Sequence, residues 1–163
     1  MTEQFIRTIR PGDNTALAKI IRDTLEEFKA NKPGTVFYDE RTDHLFEEFL
    51  VTNSIYYVVE ENGVILGGSG IYPTEGLPAG TCELVKLYLA PGGRGKGIGK
   101  MLLEKCIAAA KVSGYKKIYL ETMPELTKAI PMYENFGFTY LKQAQGNSGH
   151  CGCDIWMIKE LEE

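Results

Sequence analysis

Apolar and polar positions along this chain change period several times, and each change marks an element. Residues 5–10, Phe5-Ile6-Arg7-Thr8-Ile9-Arg10, alternate with period two and predict a first strand. Pro11-Gly12-Asp13 ends it, with Asp13 placed to cap the helix that follows. Leu17, Ile20, Ile21, Leu25 and Phe28 then fall on one helical face. Residues 31–35 are loop-forming by composition, and a shorter helix carries Leu45, Phe46, Phe49 and Leu50 inward. Two strands, 55–60 and 64–72, flank Glu61-Asn62-Gly63, and Asn-Gly between alternating runs predicts a hairpin. After a Pro- and Gly-rich break at 73–80 comes an apolar strand over 83–89. Ile98, Met101, Leu102, Cys106 and Ala109 next recur at helical spacing, up to a stop at Ser113-Gly114. A strand over 117–122, a helix over 125–135 strained by Pro131, and strands over 138–141 and 154–159 complete the order βααβββαβαββ. A polar, small-residue loop over 143–150 separates the last two strands, and no repeat or second domain interrupts residues 1–163.

Composition narrows the class. A chain of 163 residues with 44% hydrophobic and 25% charged positions is an ordinary single globular domain. A net charge of -4 and a pI near 5.3 argue against a nucleic-acid surface and tolerate a cationic substrate. The start, Met1-Thr2-Glu3-Gln4-Phe5, lacks the basic and apolar regions of a secretory leader, and no apolar run approaches membrane-spanning length. A cytoplasmic protein, with no membrane association, is the expectation. Cys82 and Cys106 sit on apolar positions and read as small core residues. His150, Cys151, Cys153 and Asp154 invite a metal reading, but C-x-C beside one histidine lacks a second ligand pair, so no metal is expected.

The chemistry concentrates between the strand over 83–89 and the helix that starts at Ile98. There the run Arg94-Gly95-Lys96-Gly97-Ile98-Gly99-Lys100 offers backbone N–H groups at a helix start, and three basic side chains. It is not a P-loop: Met101 follows Gly99-Lys100 where a Ser or Thr belongs, and Arg94 stands at the place of the first glycine. Nor do the alternating glycines fit the dinucleotide pattern. R-x-x-G-x-G does fit, as Arg94, Gly97 and Gly99. With its preceding strand and Glu83, this segment resembles the GNAT superfamily of acyl-CoA-dependent N-acyltransferases. The run Ala129 to Phe138 is similar to that family's A-x-x-x-Y-E-x-x-G-F segment. The resemblance implies a mixed, mostly antiparallel α/β (α+β) sheet flanked by helices. It implies acetyl-CoA as co-substrate, with pyrophosphate on the loop amides and the pantetheine arm beside Leu87 to Leu89.

Acyl transfer to an amine sets two proton problems. With a pKa near 10.4, only about one lysine-like amine in a few thousand is neutral at pH 7, a handicap of roughly 4–5 kcal/mol. The leaving thiolate, with a thiol pKa near 8.5, needs less help. By the resemblance, Glu83 is the base that takes the amine proton and Tyr133 the acid beside the sulfur; an N–H near Leu89 would meet the oxyanion. One departure stands out: many relatives carry an asparagine seven residues before this tyrosine, and here it is Leu126. The resemblance implies an acceptor side walled by residues 32–39 and the turn before the last strand, where Tyr38 and His150 are the polar candidates. The expected activity is acetyl transfer to a primary amine of a small molecule. A protein or peptide amino group and a non-catalytic acyl-CoA-binding module are the alternatives, and a homodimer stays open.

Overall fold

The computed structural model describes residues 3–126, 128–149 and 152–162. Its elements follow the predicted order: β1 (Gln4–Thr8), α1 (Asn14–Glu27), α2 (Leu45–Glu48), β2 (Ile55–Glu61), β3 (Val64–Tyr72), β4 (Thr81–Leu89), α3 (Ile98–Val112), β5 (Lys117–Thr122), α4 (Ala129–Asn135), β6 (Thr139–Leu141) and β7 (Ile155–Glu160). The strands form one sheet in the order β1-β2-β3-β4-β5-β7-β6. Among the described residues only the pair β4 and β5 runs parallel.

Alternation along β2 builds both faces of the core. Tyr56 and Val58 pack with Leu17, Ile21 and Leu25 of α1 and Leu45 of α2. On the other face Val59 meets Ile98 and Leu102 of α3, continuous with a cluster of Leu103, Cys106, Ile118, Tyr133 and Met157. Cys82 and Cys106 are fully buried, as their apolar surroundings predict.

Several expectations need correction. Asp13 does not cap α1 with its side chain. Its carboxylate instead accepts from the Arg10 N–H at 2.7 Å and pairs with the Arg7 guanidinium at 2.8 Å, because the turn over residues 11–13 brings both donors to it first. Leu50 is 67% exposed, since α2 closes at Glu48 and the chain turns outward. The α3 face is rotated from the predicted one: Leu103 and Ala110 are buried, and Met101 is exposed. The last helix begins at Ala129 rather than at 125, which places Pro131 in its first turn, where an amide has no intrahelical acceptor to lose. The predicted strain is therefore absent.

The feature that shapes the site is a defect in β4. Opposite β3 the register shifts between Gly68 and Gly70, which places one extra β4 residue in the ladder, and Lys86 there takes φ +55°. The Tyr56 hydroxyl crosses β3 to donate to the Lys86 carbonyl at 2.8 Å. Gly68 and Gly70 permit this crossing, because a Cβ on either would lie 2.5 or 2.8 Å from the Tyr56 ring. Beyond Glu83↔Tyr119, β4 and β5 no longer pair, and the two strands part.

Candidate active site

The parting of β4 and β5 opens a slot of about 260 Å³, lined by Leu84, Lys86, Leu87, Tyr88 and Leu89 on one side. Leu120, Glu121, Thr122 and Leu126 line the other, with Met132 and Tyr133 of α4. A strand whose neighbour has moved away presents free backbone donors and acceptors, so an extended ligand can lie along it as another strand would.

At the mouth stands the glycine loop. Gly95 and Gly97 adopt φ +74° and +77°, and nothing lies within 4 Å of a Cβ added to either. Among the described residues, the backbone N–H groups of Gly95, Lys96, Gly97, Ile98, Gly99 and Lys100 find no protein acceptor. Six successive unpaired donors at the start of a 15-residue helix are an arrangement that can receive an anion. The side chains contribute differently from expectation. Arg94 donates twice to the Leu89 carbonyl, at 3.2 and 3.1 Å, and clasps Glu27 at 2.6 and 2.9 Å. Lys96 pairs with Glu61 at 3.1 Å, and the Ile98 side chain is core. Arg94 thus shapes the loop, and its charge is largely compensated. Lys100 is exposed and has no ion pair among the described residues.

Glu83 sits where the strands fork. It is only 4% exposed and accepts a 2.5 Å hydrogen bond from Thr74 Oγ1. Burial, the largest influence, pushes its carboxyl up to about 7; the Glu121 charge adds to this, while Thr74, Lys86 and Arg41 oppose it. Glu83 opens on a chamber of about 50 Å³ that shares Leu84, Lys86, Tyr88 and Glu121 with the slot. That volume accommodates a water. A carboxyl poised near neutrality, one water away from a ligand slot, can take a proton from an incoming nucleophile.

Tyr133 is 6% exposed, edge-on to Phe138 at 5.8 Å between centroids, and lines the slot. Burial raises its pKa, which keeps the phenol a proton donor at neutral pH. Leu126, at the position of the usual asparagine, lines the slot and makes that wall apolar.

The acceptor-side candidates fare unevenly. Tyr38 is 61% exposed and lines neither slot nor chamber; Thr35 and Val36, from the same loop, reach the Glu83 chamber instead. His150 and Cys151 lie outside the described residues. Cys153 lines the chamber, and no cluster of three metal-ligating side chains occurs among the described residues. Sequence reasoning missed Glu121, which accepts from the Tyr119 hydroxyl at 2.6 Å and from the Ser148 hydroxyl. The carboxylate that follows the apolar run Ile118-Tyr119-Leu120 was the available signal.

Comparison with known proteins bears on this geometry. Residues 17–138 match the model of the acetyltransferase (GNAT) family. The chain is 38% identical over 158 residues to the uncharacterized N-acetyltransferase YjgM of Escherichia coli, covering 96% of this chain and 94% of that protein. A GNAT-family acetyltransferase from Staphylococcus aureus shares the fold with a TM-score of 0.85 at 20% identity, covering 98% of this chain and all (100%) of the other. The yncA protein of Salmonella typhimurium, solved with acetyl-CoA, superposes with a TM-score of 0.75 at 22% identity over 99% of this chain and 95% of its own.

Proposed function

The chain belongs to the GNAT acetyltransferase family as an acetyl-CoA-dependent N-acetyltransferase, and from that premise we propose that it acetylates a primary amine of a small molecule by direct attack on the thioester. The observation that carries this reading is the fork itself. Anion-binding amides stand at the open end of the slot and a carboxyl with a pKa of about 7 stands at its apex.

In the proposed mechanism the N–H groups of Gly95 to Lys100 hold the pyrophosphate of acetyl-CoA, and the β4 edge from Leu87 to Leu89 receives the pantetheine arm. The Leu89 carbonyl already serves Arg94, so the β4 edge offers the arm one acceptor fewer than the sequence suggested. Glu83 takes a proton from the ammonium, through the water its chamber accommodates. The neutral nitrogen attacks the thioester carbonyl, the C–S bond breaks, and the Tyr133 hydroxyl delivers its proton to the departing sulfur. The acylated nitrogen gives its second proton to the resulting phenolate as the amide forms. Holding both partners in one slot removes much of the entropic barrier.

A thiol-release assay with acetyl-CoA tests the acceptor class, with amino acids, simple amines, polyamines and short peptides offered side by side. Turnover on free small amines above that on peptides is expected. Turnover confined to peptide amino termini would overturn the small-molecule reading.

Tyr133→Phe retains the ring packed on Phe138 and removes only the donor. Acetyl-CoA affinity should change little, and single-turnover rates should drop by about 10-fold, most at low pH, where protonating the thiolate helps most. A fully active variant would make Tyr133 a packing residue alone.

A further inference from the structure

Lys86 is a half-buried cation that the acetyl-transfer chemistry above leaves unused. It occupies the β4 bulge at φ +55°, a conformation disfavoured for a residue that carries a Cβ, and its carbonyl is pinned there by Tyr56. Its ammonium makes no hydrogen bond or ion pair among the described residues. A lysine strained in its backbone and unpaired in its side chain is costly to the fold at both ends, and such costs collect at functional positions.

Its location says what it is for. Lys86 lines the slot, the Glu83 chamber and a third cavity of about 270 Å³. That third cavity is walled by Arg41, Glu48, Tyr72, Glu75 and Thr74, the last being the hydrogen-bond donor to Glu83. Its lining carries both signs. Arg41 is occupied by Asp39 at 2.8 Å and by the Ser148 carbonyl at 3.4 Å, whereas Lys86 feels the carboxylates of Glu83, Asp39 and Glu48 only through space and, among the described residues, has no anion in direct contact. A polyamine would meet Lys86 and Arg41 with like charge, and a dicarboxylate would meet Glu48 and Glu75. A neutral-bodied amine would cover Lys86 without giving it a direct partner.

A ligand with one charge of each sign fits all of these groups. We infer that the acceptor is zwitterionic, with an amino group and a carboxylate on one small molecule as in a free amino acid, and that Lys86 holds the carboxylate while Glu83 faces the amino group. The inference rests on the small-molecule reading above and narrows it.

Matched pairs test it: L-leucine against 3-methylbutylamine, L-phenylalanine against phenethylamine, and L-ornithine against putrescine, each with saturating acetyl-CoA. In at least one pair the carboxylate-bearing member should be acetylated with kcat/KM about 10²-fold above its decarboxylated partner. Lys86→Gln should shrink that ratio to below about 5-fold, chiefly by raising the amino acid KM. Lys86→Arg, which keeps a cation, should retain most of it. Decarboxylated amines turned over as well as or better than the amino acids would overturn the zwitterion inference and leave a small-molecule amine acceptor standing. A preference unaltered in Lys86→Gln would overturn the role of Lys86. Acetylation of peptides alone would overturn both the inference and the reading beneath it.

Discussion

Glu83→Gln should lower kcat/KM at pH 7 by about 10²-fold or more while making the folded protein more stable above neutral pH. Both effects come from one cause. Burial holds the carboxyl near 7 against an ordinary 4.5, so the folded state disfavours the carboxylate that catalysis requires. The sign follows from linkage. Well below pH 4.5, the carboxyl is protonated in folded and unfolded chains alike, and no penalty exists. Between pH 4.5 and 7 the unfolded chain gives up the proton that the folded chain keeps, so stability falls as pH rises and levels off above 7. Glutamine escapes this loss, which amounts to about 3 kcal/mol at most. Melting temperatures should thus converge as pH falls below about 4 and diverge in favour of Glu83→Gln by pH 8. A variant less stable than the wild type at pH 8 would show that the carboxylate is welcome where it sits. Glu121→Gln should move the same carboxyl the other way, because it removes a charge that raises the Glu83 pKa.

Gly97→Val should weaken acetyl-CoA binding by at least about 10²-fold and leave most of the fold intact. The position has φ +77°, and no protein atom lies within 4 Å of the added Cβ. The substitution costs about 1–2 kcal/mol of backbone strain at a surface loop, while its branched side chain fills the space before the unpaired N–H groups. Gly99→Ala is the milder control. Its Cβ would meet Leu89 and Met132 at 3.6 Å, ordinary contact, on a residue that lines the slot. Calorimetry showing wild-type acetyl-CoA affinity in Gly97→Val would remove the loop from the binding site.

Much of this was legible in the sequence because it depends on periodicity and on glycine chemistry. The alternation in β2, the Asn62-Gly63 turn and the Gly114 stop are local signals, and the structure puts each where its pattern does. The glycine loop could be read for the same reason: closely spaced glycines between a strand and a helix have few uses. What stayed hidden depends on partners distant in sequence. Arg94 reads as a phosphate ligand until Glu27, 67 residues away, is seen to hold it. Pro131 reads as a helix breaker until the helix start is known. Lys86 sits in Leu84-Val85-Lys86-Leu87 as an outward strand residue, and nothing local reports the bulge that turns it into the site. The reach of Tyr56 across Gly68 and Gly70, which holds that bulge, spans three strands and leaves no pattern along any one of them.

The pH dependence of kcat/KM, measured by single turnover for the wild type and Glu83→Gln with the same acceptor, tests the central claim most directly. The wild-type profile should rise with a midpoint near 7, set by the Glu83 carboxyl. In Glu83→Gln that limb should vanish, leaving a low rate that climbs only toward the pKa of the amine itself. The same limb with the same midpoint in Glu83→Gln would mean that another group takes the proton, and the fork between β4 and β5 would lose its catalytic role.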